Sequence, residues 1–118
     1  MPTVLGRPTI IDCAGEPPKQ IAEFVGLAST GTSDVSVARM RSPAGWTEPP
    51  QTPDFDEITY VISGLLMVEH AMGTNAVAAG QAVLVAKGEK VRYFTPQSCE
   101  YVAICIPAFS VDLVNREE

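Results

Sequence analysis

The sequence predicts a single all-β domain, and three observations carry that expectation. Ten prolines and nine glycines are spread along the 118 residues. Turn signals recur about every ten residues, and the runs between them are short, β-branched and alternating. No run keeps a helical period beyond a single turn. This spacing fits a β-sandwich or a β-barrel.

The elements follow in order. Residues 1–20 hold Pro2, Pro8, Pro17 and Pro18 around Thr9-Ile10-Ile11, and read as an extended arm, an edge strand or a strand exchanged with a second subunit. Residues 21–110 form the body. Ile21 to Gly26 is a strand, and Ser29 to Asp34 is a small-residue loop. From Val35 to Arg41, Val35, Val37, Arg39 and Arg41 share one face and Ser36, Ala38 and Met40 the other. Glu57 to Ile62 is a strand, and Leu65 to His70 is expected to return from it as a hairpin turning at Ser63-Gly64. Met72 to Asn75 is a turn. Ala76 to Ala79 and Gln81 to Ala86 are short strands parted by Gly80. Lys87 to Lys90 is a tight turn before the strand Val91 to Thr95. Glu100 to Ile106 is the final strand, closed by Pro107. Residues 111–118 form an acidic tail, expected to fray.

Hydrophobic content of 46% and charged content of 19% place the chain among globular proteins. The net charge of −6 and the absence of a basic run argue against a nucleic-acid partner, since phosphate neutralisation needs clustered Lys and Arg. No apolar stretch approaches the roughly 18 residues that would span a bilayer, so no membrane partner is expected. The N-terminus carries no basic region followed by an apolar one. Cys13, Cys99 and Cys105 are three cysteines without a C-x-x-C pair. A disulfide framework and a cysteine zinc site are therefore not expected, and a reducing cytoplasm fits.

One residue stands out against this pattern. Strand periodicity sets Glu57, Thr59 and Val61 on one face and Ile58, Tyr60 and Ile62 on the other. A carboxylate leading an apolar strand needs a cation, a proton or a solvated pocket, because unpaired burial costs several kcal/mol.

The glycines around Glu57 keep a frame. The first cupin motif is G-x5-H-x-H-x3-4-E-x6-G, and Gly45, Gln51, Pro53, Glu57 and Gly64 stand at its spacings. The second, G-x5-P-x-G-x2-H-x3-N, is met in frame by Gly80, Ala86, Gly88, Val91 and Thr95. From about residue 20 to 110 the chain thus resembles a cupin, a jelly-roll β-barrel (double-stranded β-helix) whose pocket lies inside the barrel. Metal-binding cupins supply three histidines and a glutamate from these motifs. The matching positions here are Gln51, Pro53, Glu57 and Val91, and only Glu57 is an ordinary ligand. No metal and no other cofactor is expected, although a site rebuilt from Asp54, Asp56 and Glu57 stays open. The only histidine, His70, reads as an edge residue.

Within the cupins, WTEPPQTPDFDEITYVISGLLMVE resembles the ethanolamine-utilisation protein Q group, which also lacks the histidines. The resemblance implies a place in bacterial ethanolamine metabolism and an acetate kinase activity. The chain has no phosphate loop of the G-x-x-x-x-G-K-[ST] type.

The residues and the resemblance together give a candidate site for a small polar or anionic metabolite. Glu57 is the candidate acid/base, its pKa raised by burial; the other reading is an ion pair with Arg39 or Arg41. Tyr93, two residues after Val91, shares its inward face and is a candidate acid or donor. Gln51 at a former ligand position, Thr59 beside Glu57, and Asp54 are candidate ligand-binding residues. Asp54 either pairs with Glu57 across the bend or sits in a solvated loop. Arg39 is the candidate cation for an anionic ligand or an exposed arginine. Tyr60 is expected in the core, Cys105 as a buried thiol, and Trp46 and Glu48 in the loop that the resemblance places at the pocket rim or a dimer contact. The expected chemistry is proton transfer of isomerase, lyase or cyclase type. The other class is a non-catalytic binding or accessory protein. A homodimer is expected, through exposed sheet faces and the arm.

Overall fold

Why the alternating runs become strands is plain in β5 (Asp56–Ser63), where Glu57, Thr59 and Val61 are buried while Asp56, Tyr60, Ile62 and Ser63 are exposed. The computed structural model describes residues 1–13 and 15–117. The other strands are β1 (Thr9–Cys13), β2 (Lys19–Val25), β3 (Ser36–Ser42), β4 (Trp46–Thr47), β6 (Leu65–His70), β7 (Gly73–Ala78), β8 (Ala82–Val85), β9 (Arg92–Thr95) and β10 (Cys99–Ile106). One turn of helix, α1 (Val111–Val114), follows. The strands form a six-stranded sheet in the order β1-β2-β3-β10-β5-β8 and a four-stranded sheet in the order β4-β9-β6-β7. All neighbours are antiparallel.

The expected hairpin at Ser63-Gly64 does not form. β5 pairs with β10 and β8, whereas β6 pairs with β7 and β9 in the opposite sheet. Gly64 is instead the corner where the chain changes sheets. Its φ is +84°, and a Cβ there would stand 2.0 Å from the Ser98 carbonyl oxygen. Only glycine tolerates both the dihedral and the approach.

The two sheets meet in an apolar cluster at one end of the barrel. Val61, Val85 and Tyr101 from the large sheet pack there with Leu66, Val68, Val77 and Tyr93 from the small one. Leu66 and Val61 are 0% exposed, and each such side chain contributes about 1.5–3 kcal/mol by leaving water. Elsewhere in the interior, polar side chains mix with two smaller apolar clusters, Cys13, Ile21 and Ala38 in one and Phe55, Cys105 and Val114 in the other, and a cavity lies among them. Tyr60 is corrected: it lies on the outer face at 47% exposure.

The arm supplies an edge strand, one of its expected forms, while the tail differs from expectation. β1 pairs with β2 at the edge of the large sheet, and Lys19 and Gln20 already belong to β2. The tail does not fray. The backbone of Asp54 donates to Leu113, that of Thr52 to Asn115, and that of Glu117 to Pro50. Asn115, with φ of 51°, donates its side-chain amide to the Thr52 carbonyl at 3.0 Å. This αL residue turns the chain after α1 and lays Arg116 beside Gln51, with which it forms a β-bridge.

Candidate functional site

The cavity has a volume of about 40 Å³, and its walls include Lys19, Trp46, Glu48, Gln51, Glu57, Thr59, Tyr93, Tyr101, Cys105 and Arg116. Strand alternation places most of the wall. β5 turns Glu57 and Thr59 inward, β9 turns Tyr93, and β10 turns Tyr101 and Cys105. Gln51 is fixed by a reciprocal backbone pair with Val91, both bonds being 2.9 Å.

At one pole the Tyr93 hydroxyl donates to Glu57 Oε1 at 3.0 Å, and Cys105 Sγ lies 3.8 Å from Oε2. Burial pushes the Glu57 carboxyl up; the Tyr93 hydrogen bond and the charges of Lys19 and Arg116 oppose it. Tyr93 is pushed well above an ordinary tyrosine, first by burial and then by the Glu57 charge. Tyr93 therefore stays protonated as the donor in this pair.

At the other pole Arg116 Nη2 donates to Glu48 Oε2 at 3.3 Å and contacts Cys13 Sγ at 3.4 Å. Burial raises the Glu48 carboxyl to about 7 against the pull of Arg116 and Lys19. Lys19 donates to Ser42 Oγ at 3.3 Å and to the Tyr101 hydroxyl. Three buried polar atoms of this wall have no partner among the described residues: Trp46 Nε1, Gln51 Oε1 and Arg116 Nε. Natural interiors rarely leave such groups orphaned.

Four of the predicted site residues line the cavity together: Gln51, Glu57, Thr59 and Tyr93. Arg39 and Asp54 do not. Arg39 sits on the outer face of β3, where it and Arg41 pair with Glu100 at 3.9 and 3.1 Å. The inner face of β3 is the one with Ser36, Ala38, Met40 and Ser42, because small side chains make room for the bulky Trp46, Tyr101 and Lys19. Neither arginine therefore serves Glu57. Asp54 is exposed and accepts from the Asn115 amide at 3.1 Å. Asp56 accepts the Lys87 backbone N–H at 2.8 Å. The three carboxylates thus diverge and form no cluster. Trp46 and Glu48, expected at the rim, are buried inside.

The sequence reading missed Lys19, Tyr101 and Arg116. Lys19 shares the inward alternation of β2 with Ile21 and Glu23, a signal available in the sequence. Glu23 is accounted for without a ligand, since it accepts N–H groups of Ala28 and Ser29 at 3.1 and 3.0 Å. Arg116 arrives by long-range folding and carries no local signal. At the cupin ligand positions, Pro53 and Val91 offer no side-chain donor. Among the described residues no three His, Cys, Asp or Glu side chains group to hold a metal. The donor set does not fit a transition metal.

A family model described as ethanolamine utilisation protein EutQ matches residues 26–111. The chain belongs to this family. The Salmonella typhimurium acetate kinase EutQ is 34% identical over 59 residues, 50% of this chain and 26% of that protein. The solved structure of a putative EutQ from Salmonella typhimurium superposes with a TM-score of 0.67 at 21% identity, covering 87% of this chain and 98% of that one. A Myxococcus xanthus protein described as endoribonuclease YbeY is 42% identical over 101 residues. That match covers 84% of this chain and 34% of the relative, so the chain spans about a third of the longer protein. Solved cupins share the fold: a cupin-2 domain protein from Shewanella frigidimarina superposes with a TM-score of 0.55 at 18% identity, covering 62% of this chain and 71% of that one.

Proposed function

We propose that this EutQ-family cupin binds a small polar or anionic metabolite in its barrel without a metal, and that Glu57 moves a proton on it. The reaction class is isomerase, lyase or cyclase. The observation that supports the reading is the pairing of Glu57 with Tyr93 in a cavity that also holds an orphaned acceptor, Gln51 Oε1, and an orphaned donor, Arg116 Nε. Two cationic side chains face two carboxyls whose pKa values are raised, which favours an anionic or strongly polar guest. Phosphoryl transfer is not proposed. The sequence lacks a phosphate loop of the G-x-x-x-x-G-K-[ST] type.

The test is turnover of candidate metabolites by wild type and Glu57→Gln, beside binding followed by thermal shift. Turnover lost with binding kept supports the proposal, and full activity in Glu57→Gln ends it. Family membership favours a second reading, an accessory binding protein of a bacterial ethanolamine-type pathway; ligand binding with no turnover by wild type would select it. A cytoplasmic location belongs to the same reading, since Cys99 and Cys105 are buried thiols outside any disulfide. A homodimer is part of the same proposal. The outer face of the large sheet exposes Leu84 at 68%, Tyr60 at 47% and Ile106 at 46%, beside Ile58 and Ile104. Leu84→Asp should then shift the sedimentation of a dimer to that of a monomer, and a wild-type monomer at micromolar concentration refutes it.

A further inference from the structure

The Glu57–Tyr93 pair leaves one reactive cavity group unused. Lys19 opens β2 on the inner face and is 8% exposed. Its Nζ reaches the Tyr101 hydroxyl, Ser42 Oγ at 3.3 Å and Met40 Sδ at 3.6 Å. The Trp46 ring centroid lies 3.8 Å from Nζ and the Tyr101 centroid 4.9 Å away. No ion pair among the described residues engages this amine. Lysine is almost never buried without a carboxylate partner. Burial lowers its pKa, with the charge of Arg116 acting the same way and those of Glu48, Cys13 and Glu57 opposing. A lysine desolvated beside another cation is the usual setting of an amine nucleophile.

We propose that Lys19 forms an imine with a small aldehyde or ketone held in the cavity. The inference rests on the reading that the cavity is the ligand site, and it names the substrate class. The Lys19 nitrogen lone pair attacks the carbonyl carbon, and the C=O π pair moves onto oxygen. That oxygen takes a proton from the Tyr101 hydroxyl, which recovers one from the amine through its contact with Nζ. A second proton, given by the carboxyl form of Glu57 in the same cavity, converts the carbinolamine hydroxyl into water and leaves Glu57 as the carboxylate. Water leaves as the nitrogen lone pair closes the C=N bond, so amine, carbonyl and that proton give the protonated imine and water, without oxidant or reductant. The protonated imine then draws electrons from the adjacent C–H bond, whose proton falls to the carboxylate form of Glu57 in the same cavity. A volume of about 40 Å³ suits a carbonyl compound of only a few carbons.

The test uses the full chain with acetaldehyde or acetone at neutral pH, reduction by sodium cyanoborohydride, and peptide mapping. Lys19 should be alkylated several-fold faster than the exposed Lys87 and Lys90, and Tyr101→Phe should slow Lys19 alone. Lys19 left unmodified, or modified no faster than Lys87 and Lys90, overturns the proposal without requiring any variant to fold. A second measurement separates this inference from the broader reading. If lactate or glycerol raises the melting temperature while Lys19 stays unmodified, the imine is wrong and the ligand cavity stands.

Discussion

Replacing Glu48 by glutamine should flatten the dependence of stability on pH. Glu48 is 6% exposed and burial lifts its carboxyl from 4.5 to about 7. The folded chain thus holds this proton over a range where the unfolded chain has released it. Stability from this group is full below pH 4.5 and is lost as pH rises toward 7. At about 1.4 kcal/mol per pKa unit, the loss is about 3 kcal/mol. Glu57 is raised in the same direction and adds to the slope. With a urea m-value of about 1–3 kcal/mol/M, the Glu48 share moves the midpoint by about 1–3 M. The assay is urea unfolding followed by circular dichroism at several pH values from 4.5 to 8. Glu48→Gln keeps an acceptor for Arg116 but cannot titrate, so its midpoint should fall less with pH than that of wild type. Identical slopes in the two proteins would refute the assignment of a buried proton to Glu48.

Three further outcomes are expected. Gly64→Ala should cost at least about 3 kcal/mol in chemical unfolding or prevent folding, since φ of +84° and the approach to Ser98 both exclude a Cβ. Gly80→Ala shares the φ of +84° in open space and should cost only about 1–2 kcal/mol; equal costs would show that the corner contact is unimportant. Arg116→Met should destabilise by about 3–5 kcal/mol at pH 8, because it leaves Glu48 buried and unpaired, and by less at pH 5, where that carboxyl is protonated. Thermal melts at the two pH values check this. Arg39→Ala should change stability by less than about 1 kcal/mol and leave ligand-induced thermal shifts intact, since its pair with Glu100 is exposed.

Much of the fold was legible because alternation in β5, β9 and β10 is a local property, and the spacing of Gly45, Glu57 and Gly64 placed Glu57 inward. Tyr93 followed by counting two residues from Val91. The misreadings share a physical origin in information that is not local. A glycine at position 64 signals a turn, but not which sheet receives the next strand. On β3 the sequence offers Val37 and two arginines against Ser36, Ala38, Met40 and Ser42, and hydrophobicity alone does not say that the second face turns inward. Room for Trp46, Tyr101 and Lys19 decides that, and these residues come from three other strands. Arg116 reaches the cavity from the far end of the chain, held by backbone bonds to residues 50–54 that no local pattern announces.

The position of β10 bears on how the chain assembles. This strand follows every other strand in sequence yet lies between β3 and β5, where it pairs with both over most of its length. Until residues 99–106 are in place, β1, β2 and β3 form one meander and β5 and β8 another, with no bond joining them. The large sheet cannot close by zipping neighbours in order. It must wait for an insertion across some 60 residues of chain, as the pairing of Cys105 with both Ser36 and Glu57 illustrates. Non-local pairing of this kind places refolding in the millisecond-to-second range of all-β domains. During that wait the facing edges of β3 and β5 carry unsatisfied backbone groups, and at high concentration they are the surfaces on which two nascent molecules would join.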